Sequence, residues 1–353
     1  MARALVFQQL FEPESSTYTY LLADPATHEA VLIDPVAETV ERDLKLAAEL
    51  GLTLRYVIDT HVHADHVSAA GEIRRRTGAR TGVSEHARVD CADLGLSDGQ
   101  TLAFGAHTLT CIATPGHTDS CMSFLVGDRV FTGDALMIRG TGRTDFQQGS
   151  PDRLYDSITR KLFALPDDTL VYPAHDYRGL TSTSIGVEKR LNPRVGGGRT
   201  REQFREIMAG LKLADPKKIA VALPANLSCG GRAQTPVLTP HVIQDVPEVG
   251  IEDLKDRLTD VLLVDVRTPA EYNDVLGHLP GTLLKTLGPE LDAFLDAASR
   301  VQEIVFVCRS GGRSREATRR ALAQGFRAPR NLAGGMIAWN EARLPIVRDD
   351  PPL

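Results

Sequence analysis

The residues best placed to carry chemistry in this sequence are histidines and carboxylates that recur at the ends of predicted strands. The run His61-Val62-His63-Ala64-Asp65-His66 puts four potential ligands into six residues, directly after a predicted strand. His117, Asp134 and His175 lie in three later loops that contain glycine or proline. Neutral imidazoles and carboxylates suit borderline metals such as zinc and iron, and rigid scaffolds present functional side chains on such loops. The pattern therefore predicts a metal centre in the first half of the chain.

A second reactive group is the loop Val307-Cys308-Arg309-Ser310-Gly311-Gly312-Arg313-Ser314, between a predicted strand and a predicted helix. Backbone N–H groups in such a loop form an anion-binding nest, and the helix N-terminus adds positive potential. Beside Arg309 and Arg313, we expect Cys308 to be largely thiolate, the form that accepts sulfur. Four residues separate Cys308 from Arg313. This spacing is shorter than in cysteine-based phosphatases, so the loop favours sulfur transfer over phosphate hydrolysis.

Length and composition limit the remaining possibilities. The 353 residues favour two domains, and a formal net charge of -6 argues against an electrostatic nucleic-acid binder. No segment approaches the roughly 18 apolar residues of a membrane-spanning helix. The N-terminus lacks a signal-peptide pattern, so a cytoplasmic location is expected. Five cysteines is an odd count that argues against a disulfide framework. We expect four of them to be small apolar residues, namely Cys91, Cys111, Cys121 and Cys229.

The elements that must position these groups follow two patterns. Residues 1–238 show short strands with inserted helices, which predicts a layered α/β sandwich. Residues 239–248 are predicted to be a linker, because Pro236, Pro240 and Pro247 cluster in this part of the chain. Residues 249–353 alternate between apolar strands and helices, which predicts a small α/β domain with a parallel sheet.

The H-x-H-x-D-H run, with the later His117, Asp134 and His175, resembles the metallo-β-lactamase superfamily over about residues 1–240. The resemblance implies an αββα sandwich with a metal site at one edge of its two sheets. Three flanking segments are similar to the persulfide dioxygenase branch of that superfamily, with Thr141 as one departure from its pattern. These segments are residues 133–147, 173–177 and 191–194.

The resemblance to persulfide dioxygenases implies one iron(II) per chain, held by His61, His117 and Asp134. Two histidines and one carboxylate leave coordination positions open for a persulfide and O2, as in non-haem iron oxygenases. Zinc is the alternative metal, but it has no redox chemistry. The chemistry of the residues alone does not choose between one iron and two zincs.

The other polar residues near the predicted centre receive supporting roles from the same resemblance. The ones expected to orient ligands or anchor water are His63, Asp65, His66 and His175. Arg143 and Tyr177 match positions near a glutathione pocket, where an arginine fork suits a carboxylate. Arg139 and Arg194 rank below them as candidates and are expected to be structural or surface residues.

The C-terminal part resembles a rhodanese (sulfurtransferase) domain over roughly residues 245–350. The matching segments are 264–272, 277–281 and 332–335, with Trp339 and the cysteine loop. In that family the cysteine takes sulfane sulfur from a donor and passes it to an acceptor thiol or sulfite. The residues this assigns to catalysis are Cys308, Arg309, Ser310, Gly311, Gly312 and Arg313.

Together the two halves resemble persulfide dioxygenase–rhodanese fusion proteins across almost the whole chain. The implied function is the O2-dependent oxidation of glutathione persulfide to sulfite and glutathione. It is coupled to sulfur transfer between thiosulfate or sulfite and glutathione through Cys308. Neither nucleic acid nor a membrane is an expected partner, and a homodimer is possible.

Two alternative functions stay open. One is a glyoxalase II-type thioester hydrolase, which would use two metals bridged by Asp134 and a metal-bound hydroxide. The other is a sulfide-responsive binding module in which Cys308 is a redox sensor.

Overall fold

The chain forms two compact units. A computed structural model describes residues 4–89, 91–145, 147–211, 213, 216, 218–228, 238, 240–243, 246–300 and 302–348. One unit comprises Met1–Glu72 and Thr81–Ala233, and the other comprises Ile73–Arg80 and Gln234–Leu353. Within the described residues, no helix is both long enough and apolar enough to cross a membrane.

The first unit is built on two six-stranded sheets whose strands lie side by side in chain order. The first sheet consists of β1 (Val6–Glu12), β2 (Thr17–Ala23), β3 (Glu29–Ile33), β4 (Thr53–Ile58), β5 (Arg80–Ser84) and β6 (Leu94–Leu96). The second consists of β7 (Thr101–Phe104), β8 (His107–Ala113), β9 (Met122–Val126), β10 (Arg129–Gly133), β11 (Leu170–Pro173) and β12 (Thr183–Ser184). The helices are α1 (Val40–Glu49), α3 (Pro151–Asp156), α4 (Ile185–Leu191), α5 (Arg201–Ala209) and α6 (Ile219–Leu227). Helix α2 (Ala70–Thr77) begins in this unit, and its residues from Ile73 onward belong to the other.

The core of this unit lies between the two sheets, because alternate side chains of each strand point inward. Tyr20 of β2 and Phe131 of β10 belong to one buried cluster, with their ring centroids 4.8 Å apart. On the outer face of the second sheet, α3, α4 and α5 cover Val130 and Val171. Helix α1 packs against β4 of the first sheet. The predicted αββα sandwich is therefore confirmed.

The second unit contains a third six-stranded sheet, in the order β13-β14-β18-β17-β15-β16. Its pairs are parallel except for β13 with β14. The strands are β13 (His241–Ile243), β14 (Val246–Val249), β15 (Leu262–Asp265), β16 (Leu283–Leu284), β17 (Glu303–Val307) and β18 (Ala328–Leu332). The helices are α7 (Ile251–Leu254), α8 (Pro269–Tyr272), α9 (Pro289–Ala297), α10 (Gly312–Ala323) and α11 (Gly335–Glu341).

Apolar side chains cover both faces of this sheet. Helices α9 and α10 pack on the face of Val264 and Phe306, whereas α7 and α11 pack on the face of Leu263 and Val305. Covering on both faces is characteristic of parallel sheets. It confirms the predicted α/β character of the C-terminal part.

The segment predicted as a linker, residues 239–248, contributes to this sheet instead. Strand β13 and most of β14 fall inside the segment, and Val246 is buried. The clustered prolines predict a break in regular structure, but Pro247 pairs with Val242 next to the sheet edge, where proline is tolerated. The described part of the segment is therefore sheet, and the boundary at residue 249 stays a prediction.

Candidate metal centre and cysteine loop

Four strand ends deliver the predicted ligands to one place. The H-x-H-x-D-H run follows β4, His117 follows β8, Asp134 follows β10 and His175 follows β11. Strands β10 and β11 are parallel, and β9 is antiparallel to both β8 and β10. The carboxyl ends of β8, β10 and β11 therefore meet at the same edge of the second sheet.

His61, His117 and Asp134 converge at that edge. Each offers a ligand atom, and these atoms lie within 4.8 Å of one another. The Nε2 atom of His117 is 3.5 Å from Oδ2 of Asp134. The rings of His61 and His117 meet edge to face, with centroids 5.0 Å apart. Such an arrangement can hold one cation between two imidazoles and one carboxylate.

Hydrogen bonds on the far side of each imidazole fix which nitrogen faces the centre. Nδ1 of His61 contacts Oγ1 of Thr60 at 3.0 Å, and this hydroxyl donates to Oδ2 of Asp34 at 2.9 Å. Because that hydroxyl proton goes to Asp34, Nδ1 of His61 must be the donor to Thr60. Nδ1 of His117 donates to the carbonyl oxygen of Arg143 at 2.8 Å. Both rings therefore turn an Nε2 lone pair toward the centre, as metal ligands do.

The remaining members of the predicted cluster form a second donor set beside the first. His63, Asp65 and His66 offer ligand atoms within 4.8 Å of one another. Nε2 of His63 bonds Oδ1 of Asp34 at 3.0 Å, and Nδ1 of His66 bonds Oδ2 of Asp65 at 2.9 Å. Nε2 of His175 lies 3.5 Å from Asp65 and 3.8 Å from Asp134. The four residues predicted as supports therefore lie beside the three predicted ligands, and their supporting roles stay a prediction.

The unpartnered polar atoms of this region fit a cation. Nδ1 of His63, Nε2 of His66 and Oδ1 of Asp134 are buried and have no hydrogen-bond partner among the described residues. Leaving such atoms unpaired costs about 1–3 kcal/mol each, and coordination of a metal would offset that cost. Imidazole nitrogens with a carboxylate oxygen form a donor set suited to iron or zinc.

The electrostatics favour the protonation states that bind a metal. Burial, together with the neighbouring imidazoles, holds the pKa values of His61 and His63 well below the ordinary value, so both rings are neutral. Burial raises the pKa of Asp134, but the imidazoles of His175, His117 and His61 outweigh burial and lower it. Asp134 is therefore ionised beside the neutral imidazole of His61.

One glycine allows the His117 and Asp134 loops to approach each other. The backbone N–H of Gly142 donates to the carbonyl of Asp134 at 2.7 Å. A Cβ at residue 142 would lie 2.4 Å from that carbonyl oxygen and 2.8 Å from Nδ1 of His117. Any side chain there would push the predicted ligands apart.

A cavity of about 600 Å³ opens over the centre and is lined by His61, His117, Asp134 and His175. Of the two residues predicted to bind substrate, Tyr177 lines it with 73% of its surface exposed and stacks on the ring of His175. Arg143 also lines it, but its guanidinium makes two hydrogen bonds of 2.6 Å to Asp145. Arg143 must leave Asp145 before it can bind a substrate carboxylate with the same two nitrogens.

Two further arginines line the cavity. Arg194 donates to the carbonyl of Thr141, and Arg178 donates to that of Ile138. Burial and the nearby charge of Arg178 lower the pKa of Arg194, so the two guanidiniums are close enough to repel. Sequence reasoning ranked Arg194 below Arg143 and did not select Arg178. The sequence signal that could find both arginines is a cationic residue close to one of the metal motifs.

The cysteine loop of the second unit runs from the end of β17 into α10, as predicted. Sγ of Cys308 accepts from the backbone N–H of Gly311 at 3.1 Å and from the hydroxyl of Ser314 at 3.2 Å. Gly311 has a φ of +96°, which favours glycine. Cys308 is buried, whereas the Arg309 side chain is 52% exposed. Ser314, which the prediction left without a role, is the hydroxyl donor to the sulfur.

Comparisons with known proteins identify both units. Residues 13–175 match the metallo-beta-lactamase superfamily, and residues 251–342 match the rhodanese-like domain. The mitochondrial persulfide dioxygenase ETHE1 of Homo sapiens is 47% identical over 234 residues, 66% of this chain and 91% of the human protein. The chain belongs to the persulfide dioxygenase family. The crystal structure of ETHE1 from Myxococcus xanthus shows 57% identity and a TM-score of 0.62, covering 64% of this chain and 99% of that one.

A hydrolase is also related to the persulfide dioxygenase part. The hydroxyacylglutathione hydrolase of Brucella anthropi is 32% identical over 247 residues, which are 69% of this chain and 88% of that protein. The family resemblances predicted from the sequence motifs are thus confirmed for both parts of the chain.

The other cysteines differ from the expectation in one respect. Cys111 and Cys121 of the persulfide dioxygenase part are free and buried, and burial raises the pKa of each thiol to about 12. They fit the predicted role of small apolar residues. Cys91 is disulfide-bonded, so its expected role as a free apolar residue was wrong. Cys229 lies outside the described residues.

Proposed function

We propose that this chain is a bifunctional enzyme of sulfur metabolism that couples an iron(II) persulfide dioxygenase to a rhodanese sulfurtransferase. Residues 1–238 would carry the dioxygenase and residues 249–353 the sulfurtransferase. Family membership supports the first activity and the rhodanese-like domain supports the second. A cytoplasmic location and a homodimer stay predictions.

The observation that carries the proposal is the convergence of His61, His117 and Asp134 within 4.8 Å. Their orienting hydrogen bonds turn both Nε2 atoms inward. Bound Fe(II) with only three protein ligands would supply O2 chemistry to a persulfide sulfur. In the overall reaction, glutathione persulfide, O2 and one water give glutathione and sulfurous acid, which ionises to sulfite.

The protein's own residues would bind and orient glutathione persulfide. Its glutathione part carries two carboxylates, and Arg194 and Arg178 bring two positive charges into the cavity. Guanidinium–carboxylate hydrogen bonds are strong and directional. Arg143 could add a third contact by exchanging Asp145 for the substrate, and Tyr177 offers an exposed ring at the cavity wall. His63, Asp65, His66 and His175 would anchor water and keep the ligands in place.

In the second unit, Cys308 would carry sulfur as a persulfide. Its thiolate attacks the outer sulfur of thiosulfate, the S–S bond breaks, and sulfite leaves with the bonding electron pair. A glutathione thiolate then attacks the outer sulfur of the Cys308 persulfide. This step forms glutathione persulfide and restores the Cys308 thiolate. Hydrogen bonds from Gly311 and Ser314 support the charge on the Cys308 sulfur. The reverse direction uses the same residues.

A glyoxalase II-type hydrolase is the second candidate function. Nδ1 of His63 and Nε2 of His66 are buried without partners, so the second donor set could hold another cation. The related hydroxyacylglutathione hydrolase favours the same possibility. Such an enzyme would contain two zinc ions and would cleave S-lactoylglutathione without O2.

Two measurements test the proposal. Protein purified without added metal should contain about one iron per chain and should consume O2 when glutathione persulfide is added. Two zinc ions per chain, with S-lactoylglutathione hydrolysis and no persulfide-dependent O2 uptake, would instead establish the hydrolase.

In the second unit, C308S should abolish sulfur transfer from thiosulfate and leave O2 uptake unchanged, with C111A as the control. Loss of O2 uptake alone would contradict the assignment of Cys308.

A further inference from the structure

The side chain of Asn226, from helix α6, holds the half of the metal-centre loop that carries His63 and His66. Its Nδ2 donates to the carbonyl oxygens of both histidines, at 2.9 Å each. Its Oδ1 accepts from the backbone N–H of Ser68 at 2.8 Å. The side chain is buried. One residue that follows the loop by about 160 positions thus satisfies three of its backbone groups.

The chemistry of this contact requires a primary amide. Only asparagine and glutamine combine two N–H donors and one carbonyl acceptor in a planar group. An aspartate would place a carboxylate oxygen against two carbonyl oxygens, and an alanine would leave all three backbone groups buried without these partners. Such losses are unfavourable in a buried loop.

Helix α6 also contacts the loop through apolar side chains. Leu223 packs in a cluster with Val62 and Val83. Val62 immediately precedes His63, so α6 contacts the loop both before the His63 side chain and after it. At the far end of the contact, the Ser68 hydroxyl bonds both carboxylate oxygens of Asp59, at 2.8 and 2.9 Å. The loop is therefore anchored along its length from His63 to Ser68.

Any movement of this half of the loop would reach the predicted iron ligands through ring contacts. The ring of His63 lies 4.1 Å from that of His61 and 4.2 Å from that of His66, measured between centroids. Thr60 and Asp34 hold His61 from one side. The His63 ring packs on the other side of His61. Without Asn226, the backbone of His63 would lose the hydrogen bond that anchors it.

We propose that Asn226 is a positioning residue of the metal centre. It sets the places of His63 and His66, and through the His63 ring it keeps His61 directed at the cation. The inference rests on the proposed function in taking Fe(II) as that cation. Asn226 lies near the end of the segment predicted as the first domain, residues 1–238, and its role is visible only in three dimensions.

The test compares Asn226 with a matched asparagine in the second unit. Nδ2 of Asn340 also donates to two carbonyls, those of Leu276 and Met336, at 3.0 and 2.8 Å. The variants N226D, N226A and N340D are compared with the wild type in the full chain. Fe(II) affinity is measured by competition with a chromogenic chelator. The rise in Tm on loading with Fe(II) gives a second measure that does not depend on activity.

We expect N226D and N226A to bind Fe(II) about 10- to 100-fold more weakly than the wild type, as for other residues that orient metal ligands. Their metal-free Tm values should fall no further than that of N340D, which keeps wild-type Fe(II) affinity. Should N226A not fold, N226D decides, because it keeps the size and shape of the side chain. Wild-type Fe(II) affinity in N226D would overturn the proposal. The proposal would also be overturned if N226D failed to fold even with excess Fe(II), because Asn226 would then be needed for folding of the chain in general.

Failure of the proposed function would look different. In that case the wild type itself would bind no Fe(II), or would consume no O2 with glutathione persulfide. If the wild type holds zinc, the same variants are compared with Zn(II), and the prediction for Asn226 is unchanged.

Discussion

Arg313 of the cysteine loop and Glu271 of helix α8 form a two-point ion pair, with N–O distances of 2.7 and 2.6 Å. Glu271 also closes the capping box of α8 with Thr268. Arg313 is therefore fixed against a helix rather than free to bind an anion. We infer that Arg313 shapes the loop. Arg309 is more exposed, and it lies 3.6 Å from a carboxylate oxygen of Asp274.

Replacing Glu271 should impair sulfur transfer selectively. E271Q keeps the shape of the side chain but removes its charge, so Arg313 loses a charge-assisted contact. We expect kcat/KM for thiosulfate to fall about tenfold, equivalent to about 1.4 kcal/mol, with O2 uptake unchanged. Steady-state assays of both activities on the same preparation check this. An equal loss of both activities would indicate general destabilisation instead.

The same pair predicts a pH dependence of stability. The hydrogen bonds from Arg313 outweigh burial and lower the pKa of Glu271 from 4.5 to about 2. A lowered pKa means that the stabilisation is complete above pH 4.5 and is lost as the pH falls through about 2. The Tm difference between wild type and E271Q should therefore be constant from neutral pH to about 4.5 and then shrink to nothing. The pair is partly exposed, so the difference should be small. A gap that stays undiminished down to pH 2 would contradict this account.

Thr60 should matter through its hydroxyl rather than its size. T60V keeps the branched shape but removes the group that links His61 to Asp34. His61 then loses the partner that fixes its Nδ1–H, and metal affinity should fall about 10- to 100-fold. T60S retains the hydroxyl and should restore most of the affinity. Chelator competition gives both values, and equal affinities in T60V and T60S would refute the role of the hydroxyl.

Arg194 should contribute to substrate binding more than to the chemical step. R194M keeps much of the side-chain volume but removes a charge from the cavity. Loss of a charged hydrogen bond costs about 1.5–3 kcal/mol, so we expect KM for glutathione persulfide to rise at least about tenfold, with a smaller change in kcat. R143M is the comparison, because Arg143 is already paired with Asp145. An unchanged KM in R194M would exclude this role.

The sequence predicted the strands and the ligand cluster because both are local patterns. Strand β4 and the H-x-H-x-D-H run after it can be recognised within about a dozen residues. Asp34 could not be found in this way, since it acts on Thr60 and His63 across more than 25 residues. The backbone of Asp34 is in the left-handed region, with a φ of +50°, and no spacing rule connects it to the cluster.

The hydrogen-bond partners of the arginines could not be predicted from the sequence either. Arg143 stands within the most recognisable motif, yet Asp145, two residues away, occupies its guanidinium. Arg194 was a weaker sequence candidate, but it faces the cavity with only carbonyl and hydroxyl oxygens of Thr141 as partners among the described residues. Which arginine is available depends on contacts that spacing does not reveal.

The predicted iron ligands come from both layers of the sandwich, since His61 follows β4 in one sheet while His117 and Asp134 follow β8 and β10 in the other. A cation held by all three would fasten the two sheets together at this edge. Separating the layers would then require breaking coordination bonds as well as opening the aromatic core. Metal content should consequently set how readily the sandwich opens: without the cation, amide hydrogen exchange should begin at this edge and spread inward.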